Sequence, residues 1–174
     1  MSCYAHALAD SRQFLRREDV DLIVEMCEKL DPRTIVDLGA GSGTTALAAF
    51  AGVSGQRVAL TTVDAEESQL DWARAAVANA GRADQWQALL SDSADASVGF
   101  DDNSVDLLLI DTSHTYEQTS KELAAWLPKV RSGGGIWLHD YLGEYPGVGE
   151  ALEEVVGQLT LYKVQGLGWG GWKT

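Results

Sequence analysis

Apolar side chains recur along this chain with two spacings, and together they predict alternating helices and strands. Residues 18–30 carry apolar positions at helical spacing, and the Asp31-Pro32 pair ends that predicted helix. The same spacing predicts helices over residues 44–50, 66–80, 116–130 and 148–159. Short apolar runs predict strands over residues 34–38, 57–63, 86–90, 104–110 and 136–138, with the glycine-rich residues 132–135 as the turn into the last of them.

The pattern also predicts how these elements assemble. Residues 104–110 are mostly apolar on both faces, as in a central parallel strand covered from both sides. Residues 160–164 and 168–173 predict an antiparallel pair that closes one edge of the sheet. The alternation therefore predicts an α/β fold, doubly wound and Rossmann-like, with a mostly parallel sheet and an antiparallel C-terminal edge strand. We expect one domain over residues 1–174, with residues 1–17 interpreted as a flap.

Composition narrows the class of partner. The net charge of -13 and the sequence pI near 4.4 argue against DNA, RNA and anionic membranes, because binding to nucleic acid depends on Lys and Arg. No apolar run approaches the roughly 20 residues of a membrane-spanning helix. Cys3 and Cys27 stand far apart without metal or redox spacing, so we expect inert thiols. A cytoplasmic protein acting on a small molecule is the simplest interpretation, and the sequence leaves a homo-oligomer open.

Three glycines, Gly39, Gly41 and Gly43, stand between a predicted strand and a predicted helix. Such a turn offers backbone N–H groups and a helix N-terminus to a carboxylate or a phosphate. The third glycine comes one position too early for the dinucleotide pattern G-x-G-x-x-G, and no lysine follows it. These two departures weaken NAD and ATP as candidate ligands.

Acidic residues follow the next two predicted strands. Asp64 ends the second strand, where a carboxylate accepts both hydroxyls of a ribose. Asp92 and Ser93 close the third strand region, where they would face the adenine edge of a ligand laid across the strand ends. The order of these groups along the chain predicts a nucleoside-containing cofactor.

The stretch from Val36 to Gly43, followed by Asp64, Asp92 and Asp111, resembles the ordered motifs of class I S-adenosylmethionine-dependent methyltransferases over nearly the whole chain. The resemblance implies that the glycine turn holds the methionine end of the cofactor, that Asp64 holds the ribose and that Asp92 reads the adenine. It implies a cofactor-binding set of Asp37, Gly39, Gly41, Ser42, Thr44, Asp64, Asp92, Ser93 and Asp111.

A second group of residues follows two later strands. Asp111 ends one strand and is followed by His114, while His139 and Asp140 end the next. If these strands are neighbours, about 4.8 Å apart, the carboxylates of Asp111 and Asp140 could share one divalent cation. Oxygen ligands favour Mg²⁺, Ca²⁺ or Mn²⁺. Histidine exchanges protons near neutral pH, so His114 is the candidate base for a hydroxyl that the metal has acidified.

This half of the chain resembles the O-methyltransferases related to macrocin and other macrolide-sugar enzymes. The resemblance implies that Asp111 and Asp140 are metal ligands and that His114 is the base. Those enzymes carry an acidic pair where this chain has His139 followed by Asp140, so His139 joins the predicted metal set of Asp111, Asp140 and His139.

Aromatic residues are numerous near the second group. Tyr141 and Tyr145 fall on the loop beside the predicted metal, where they would suit an apolar, aromatic or sugar-ring acceptor. Buried packing is the interpretation for four tryptophans in helices or strands, namely Trp72, Trp86, Trp126 and Trp137.

Three functions remain open from the sequence. The first is an S-adenosylmethionine-dependent O-methyltransferase acting on a small-molecule hydroxyl, with His114 and Asp111 as catalytic residues. The second is an NAD-type oxidoreductase, which shares the fold and Asp64 but lacks a Tyr-x-x-x-Lys pair. The third is a nonenzymatic S-adenosylmethionine-binding accessory protein, which the short chain would suit.

Overall fold

A computed structural model describes residues 3, 5, 15–53, 55 and 57–174. Seven strands form the sheet: β1 (Thr34–Leu38), β2 (Ala59–Asp64), β3 (Trp86–Leu90), β4 (Val105–Ile110), β5 (Val130–Leu138), β6 (Leu159–Gln165) and β7 (Gly168–Lys173). The helices of the described part from residue 15 onward are α1 (Arg17–Leu30), α2 (Thr44–Gly52), α3 (Glu67–Asn79), α4 (Tyr116–Trp126) and α5 (Pro146–Val155). Short 3₁₀ turns cover Ala83–Gln85, Asp95–Gly99 and Val156–Gln158.

The strands lie in the order β3-β2-β1-β4-β5-β7-β6. The first five pair in parallel, whereas β7 pairs antiparallel with both β5 and β6. The order in which successive strands are added to the sheet reverses between β1 and β4, where parallel sheets of this kind open a crevice at the carboxyl ends of their strands. The predicted α/β fold with an antiparallel C-terminal pair is confirmed.

The core lies on both faces of the sheet, and β4 shows how one strand serves both. Leu107 and Leu109 pack into the cluster formed with α1 and α2, whereas Leu108 and Ile110 pack into the cluster formed with α4 and α5. Since side chains alternate along a strand, an apolar run of this length is expected only where both faces are covered. This confirms the interpretation of residues 104–110 as a central strand.

The helix predicted over residues 116–130 ends at Trp126, so its predicted C-terminus was wrong. Pro128 has no N–H to continue the helix, and β5 begins at Val130. The turn predicted over the glycine run was also wrong, because Gly133 and its neighbours lie inside β5. There the pairing with β4 shifts register between Val105 and Leu107, and Gly133 has φ +71°. The glycines accommodate this bulge.

Two of the four tryptophans assigned to packing, Trp126 and Trp137, are fully buried. Trp86 is half-buried and donates its indole N–H to Thr62 Oγ1 at 2.8 Å. Trp72 is 59% exposed, so its assignment to the core was wrong. The buried face of α3 consists of Leu70, Ala73 and Val77, and Trp72 projects away from that face.

Cys27 is buried, and burial raises the pKa of its thiol far above the usual range, as expected of an inert cysteine. The flap interpreted over residues 1–17 lies largely outside the described residues. Leu15, which is described, is buried in the core beside α1. None of the helices among the described residues is long and apolar enough to cross a membrane.

Candidate active site

The carboxyl ends of the five parallel strands meet at one edge of the sheet. Backbone hydrogen bonds continue past the strand ends: Asp111 N–H donates to Leu38 O, and His139 N–H donates to Ile110 O. Gly39 N–H likewise donates to Val63 O. The sheet therefore places the glycine turn, Asp111 and His139 side by side, as the sequence predicted for the ends of neighbouring strands.

The glycine turn leaves β1 in a conformation that only glycine adopts readily. Gly39 has φ +93°, and a Cβ there would overlap the carbonyl oxygen of Asp111. Gly41 has φ +45°, but a Cβ would meet open space. Gly43 caps the N-terminus of α2 with φ +84°. The turn thus packs closely on β4 at one end and presents bare backbone to the site at the other.

Hydrogen bonds to the carboxylate of Asp64 connect this turn to the end of β2. Its Oδ2 accepts the backbone N–H of Ala40 at 2.8 Å, and its Oδ1 accepts that of Glu66 at 2.8 Å. Each carboxylate oxygen has a second lone pair, so Asp64 keeps acceptor capacity for two ligand hydroxyls.

An open cavity of about 510 Å³ lies over these strand ends. Six of the predicted cofactor-binding residues line it: Gly39, Gly41, Asp64, Asp92, Ser93 and Asp111. It is also lined by residues that the sequence did not single out: Val63, Ala65, Glu66, Gln69, Thr112, Ser113 and Gln118.

The other predicted cofactor residues, Asp37, Ser42 and Thr44, do not line this cavity. Ser42 Oγ and Thr44 Oγ1 are hydrogen-bonded to each other at 2.8 Å. Asp37 is fully buried and accepts the hydroxyl of Thr62 at 3.0 Å. Burial raises the pKa of Asp37 to about 7, against the opposing effect of hydrogen bonds from threonine hydroxyls.

At the far end of the cavity, Asp92 is exposed and its Oδ1 accepts the backbone N–H groups of Ala94 and Asp95. Ser93 is buried and donates its hydroxyl to Glu122 of α4. Glu122 is itself fully buried, and it also accepts from Thr112 Oγ1 at 3.1 Å. No sequence signal marked Glu122, since a lone acid on a helix is usually a solvated side chain.

Asp111, His114, His139 and Asp140 form one cluster at the ends of β4 and β5. Asp111 Oδ1 lies 3.0 Å from His114 Nε2 and 3.1 Å from His139 Nδ1. Asp140 Oδ2 lies 3.5 Å from His114 Nδ1 and 3.6 Å from His139 Nδ1. The structure thus brings together all four residues of the predicted catalytic and metal group.

The carboxylates and imidazoles of this cluster stabilise each other's charged forms. Burial opposes ionisation of Asp111, but its hydrogen bond with His114 and its proximity to His139 hold the pKa of that carboxyl at about 2. Burial likewise opposes protonation of His139, but Asp111, Asp19 and Asp140 outweigh it and raise the pKa of this imidazole to about 10.

Donor atoms for a cation are present in the cluster. One ligand atom each from Asp111, His114 and His139 lie within 4.8 Å of one another. Both ring nitrogens of His139 are buried, and neither is hydrogen-bonded to a described residue, because the nearby carboxylates lie outside hydrogen-bonding geometry. Buried polar atoms without a partner are uncommon, so this arrangement fits an ion that would take the place of the His139 proton.

Two members of the cluster have unusual backbone conformations. His114 has φ +57° and Asp140 has φ +55°. His and Asp adopt this left-handed region more readily than most residues, but it still costs energy and is concentrated at functional sites. Thr115, directly after His114, caps the N-terminus of α4 by accepting the N–H of Gln118.

Asp19 of α1 reaches this cluster from the opposite end of the chain. It is fully buried, and its Oδ2 lies 3.7 Å from His139 Nε2. Its Oδ1 accepts the backbone N–H groups of Leu167 and Gly168 at 2.8 and 2.9 Å. Helical periodicity placed Asp19 among the polar positions of α1, so no sequence signal marked it.

A second cavity, of about 390 Å³, adjoins the cluster and is lined by Arg16, Asp140, Leu142, Gly143, Glu144, Tyr145 and Leu167. Tyr145 is 47% exposed, and its ring centroid lies 5.1 Å from that of His114. Tyr141 instead packs against the core on the α4 and α5 side of the sheet. Of the two tyrosines predicted near the site, Tyr145 is therefore the one that faces this cavity.

A family model described as a methyltransferase domain matches residues 36–141 of the chain. This range contains the glycine turn, the four acids that line the first cavity and the histidine cluster. Comparison with curated protein sequences finds no match.

Solved structures share the fold at low sequence identity. A methyltransferase from Geobacter sulfurreducens has TM-score 0.80 and 16% identity, over 98% of this chain and 88% of that one. The O-methyltransferase TomG from Streptomyces achromogenes, involved in tomaymycin synthesis and solved with S-adenosylmethionine, has TM-score 0.78 and 18% identity, over 100% and 90%. An O-methyltransferase from Bacillus cereus, solved with S-adenosylhomocysteine, has TM-score 0.77 and 16% identity, over 97% and 87%.

Proposed function

This chain belongs to the methyltransferase-domain family, and from that premise we propose that it transfers the methyl group of S-adenosylmethionine to a hydroxyl of a small molecule. One observation carries the proposal: Asp111 both lines the cavity beside the glycine turn and contacts His114 and His139. A single carboxylate thus joins a candidate cofactor site to a candidate base. Two structurally similar O-methyltransferases, solved with this cofactor or its demethylated product, support the same ligand.

The cavity offers complementary groups to each part of the cofactor. The backbone at Gly41 and the N-terminus of α2 would receive the carboxylate of the methionine moiety. Asp64 would accept the two ribose hydroxyls with its remaining lone pairs. Asp92, Ser93 and Gln118 line the end that remains for the adenine.

His114 is the proposed base. Its Nε2 lies 3.0 Å from Asp111, which favours the tautomer with the proton on Nε2 and leaves the lone pair on Nδ1. Nδ1 would take the proton of the acceptor hydroxyl, while the oxygen forms a bond to the methyl carbon and the carbon–sulfur bond breaks. The electron pair of that bond returns to sulfur, so the products are a methyl ether, S-adenosylhomocysteine and an imidazolium. Asp140, 3.5 Å from Nδ1, would stabilise the positive charge on the ring.

Of the donor set within 4.8 Å, Asp111 and His139 would hold a divalent cation, with His114 kept as the base. Asp140, whose Oδ2 lies 3.6 Å from His139 Nδ1, would be the third ligand, and a bound cation would lower the pKa of the acceptor hydroxyl. The sequence-based expectation of Mg²⁺, Ca²⁺ or Mn²⁺ considered oxygen ligands alone, and the imidazole nitrogen of His139 alters it. A set of mixed nitrogen and oxygen ligands suits Mn²⁺, Fe²⁺ or Zn²⁺ better than the oxygen-preferring Mg²⁺ or Ca²⁺.

The second cavity supports a ring-containing acceptor. Tyr145 presents an exposed aromatic face beside His114, on which an aromatic or sugar ring could stack. The net charge of -13 disfavours nucleic acid as the acceptor. The cytoplasmic location and the homo-oligomer considered from the sequence stay predictions.

The test begins with the cofactor. Isothermal titration with S-adenosylhomocysteine should give saturable binding, and a parallel titration with NADH should give none. Methyl transfer is then measured from S-[methyl-³H]adenosylmethionine to a panel of phenolic, sugar and macrolide hydroxyls. Binding of NADH without S-adenosylhomocysteine would overturn the proposal in favour of an oxidoreductase. Cofactor binding with no labelled product from any acceptor would favour an accessory protein.

A further inference from the structure

Glu122 is a buried carboxyl that the proposed reaction does not use. It lies on α4 at 0% exposure, behind the end of the cavity that contains Ser93, Thr112 and Gln118. Hydroxyl groups of Ser93 and Thr112 and the amide of Gln118 all donate to it. An acid that accepts from three side chains at the wall of a cavity orients those side chains.

Gln118 is the member of this network whose orientation matters to a ligand. Its Nε2 donates to Ser93 Oγ at 2.8 Å and to Glu122 Oε1 at 3.2 Å. The amide nitrogen of Gln118 therefore faces two acceptors of this network. The carbonyl Oε1 of Gln118 is left without a hydrogen bond from the described residues, on a side chain that lines the cavity.

The opposite orientation of this amide is disfavoured by its partners. Ser93 already donates its only hydroxyl hydrogen to Glu122, so Ser93 can only accept from Gln118. Turning the amide would point the carbonyl oxygen of Gln118 at two acceptors, the hydroxyl oxygen of Ser93 and the carboxylate of Glu122. The backbone carbonyl of Ser93 accepts the indole N–H of the buried Trp126 at 2.7 Å, which ties Ser93 to the core.

We propose that Gln118 selects the adenine of the cofactor by accepting its exocyclic amine, and that Glu122 is the positioning residue that keeps the amide of Gln118 in the accepting orientation. This inference rests on the proposed function, because it assumes a purine nucleoside in the cavity. Adenine presents a hydrogen-bond donor at its 6-position, whereas hypoxanthine presents an oxygen there. An oxygen opposite the carbonyl of Gln118 would leave two acceptors facing each other without a proton between them.

The test compares S-adenosylhomocysteine with S-inosylhomocysteine, which differ at the purine 6-position and the adjacent ring nitrogen. Isothermal titration of the unaltered protein should show about 10- to 100-fold tighter binding of the adenine ligand, the range for one mismatched polar contact in a partly buried site. Gln118→Leu should reduce that ratio by at least about five-fold. Glu122→Gln should also reduce this ratio, because an amide at position 122 can donate to the carbonyl oxygen of Gln118 and so permit the opposite orientation of the Gln118 amide.

Glu117→Gln is the matched control, since Glu117 is an exposed acid on the same helix, and it should leave the ratio unchanged. Circular dichroism checks the fold of each variant. If Glu122→Gln does not fold, Ser93→Ala removes the other acceptor of the same amide and should lower the ratio in its place. An unchanged ratio in Gln118→Leu would overturn the selection, and an unchanged ratio in a folded Glu122→Gln or Ser93→Ala protein would overturn the positioning role. Absence of S-adenosylhomocysteine binding to the unaltered protein would instead overturn the proposed function itself.

Discussion

The buried carboxylate of Asp19 lies 3.7 Å from Nε2 of His139, so the first turn of α1 forms part of the wall behind the histidine cluster. The same carboxylate accepts the N–H groups of Leu167, in the turn after β6, and of Gly168, the first residue of β7. One acid thus connects α1, the end of β5 and the C-terminal hairpin.

We expect Asp19→Ala to destabilise the protein by about 3 kcal/mol or more, because it leaves buried backbone N–H groups without acceptors at about 1–3 kcal/mol each. Asp19→Asn should cost less, since its carbonyl oxygen can still accept. Urea unfolding measures both free energies. Glu28→Ala is the control, an exposed acid on the same helix, and it should change stability by less than about 0.5 kcal/mol. Equal stability of the Asp19→Ala and Glu28→Ala proteins would contradict the role of Asp19.

Substitution of the two histidines of the cluster should have different effects on metal content and turnover. His139→Ala is expected to lose bound metal, because it removes a proposed ligand, whereas His114→Ala should retain metal and lose turnover by about 100-fold or more as a missing base. Elemental analysis of dialysed protein measures the metal, and the tritium assay measures the turnover. Loss of metal in His114→Ala would make His114 a ligand rather than the base.

Asp111→Asn should lower methyl transfer by about 100-fold or more, because it removes the carboxylate that both orients His114 and serves as a proposed ligand. The pKa of Asp111 near 2 lies just under two units below the unfolded value, which corresponds to about 2–3 kcal/mol of ionisation-linked stability, at 1.36 kcal/mol per unit. The unfolding transition should therefore remain cooperative while activity is lost. Full turnover by this variant in the presence of EDTA would exclude both the metal and the orienting role.

Asp37 predicts how stability depends on pH. Its folded-state pKa of about 7 is above the unfolded value near 3.9, so the folded protein holds a proton that the unfolded chain has released between these values. This contribution to stability is present below about pH 4 and is lost as the pH rises to about 7. Asp37→Asn removes this pH-dependent contribution. The free energy of unfolding of the variant minus that of the parent should therefore be larger at pH 8 than at pH 5. A stability difference between the two proteins that is equal at both pH values in urea unfolding would show that Asp37 titrates normally.

The glycine turn allows a matched pair of substitutions. Gly39→Ala should destabilise the fold strongly, since the new Cβ overlaps the carbonyl oxygen of Asp111 at a φ of +93°. Gly41→Ala adds some backbone strain at φ +45° but no overlap, so the protein should still fold. Because Gly41 lines the cavity, the added methyl group should weaken binding of S-adenosylhomocysteine at least ten-fold. Thermal unfolding and isothermal titration distinguish the two effects. Unchanged cofactor affinity in Gly41→Ala would exclude the turn from the binding site.

The sequence predicted the strands and the strand-end residues well, because both depend on local pattern. An apolar run flanked by turn residues marks a buried strand, and the parallel topology then places Asp64, Asp111 and His139 at one edge. The errors are equally physical. The glycine run before Ile136 resembles a turn in sequence, yet pairing with β4 draws it into β5 as a bulge.

Other features could not be found from local pattern, since they depend on contacts between distant residues. Asp19 and Glu122 each appear in sequence as ordinary polar positions on a helix, and only tertiary packing buries them. Gln118 gains its proposed role from Ser93, which lies on a different part of the sheet edge. Trp72 shows the converse error, in which a large apolar residue remains on the surface of α3.

The bonds from Asp19 to Leu167 and Gly168 span 148 and 149 residues. Contacts of such long sequence separation form late, because much of the intervening chain must first be ordered. On the ribosome, β2 and β4 can emerge and pair with β1 before β7 has been synthesised. The two parts of the proposed site therefore form at different times. The strand ends that would bind the cofactor form early in synthesis, whereas the wall behind His139 forms only after the hairpin of β6 and β7 has been translated.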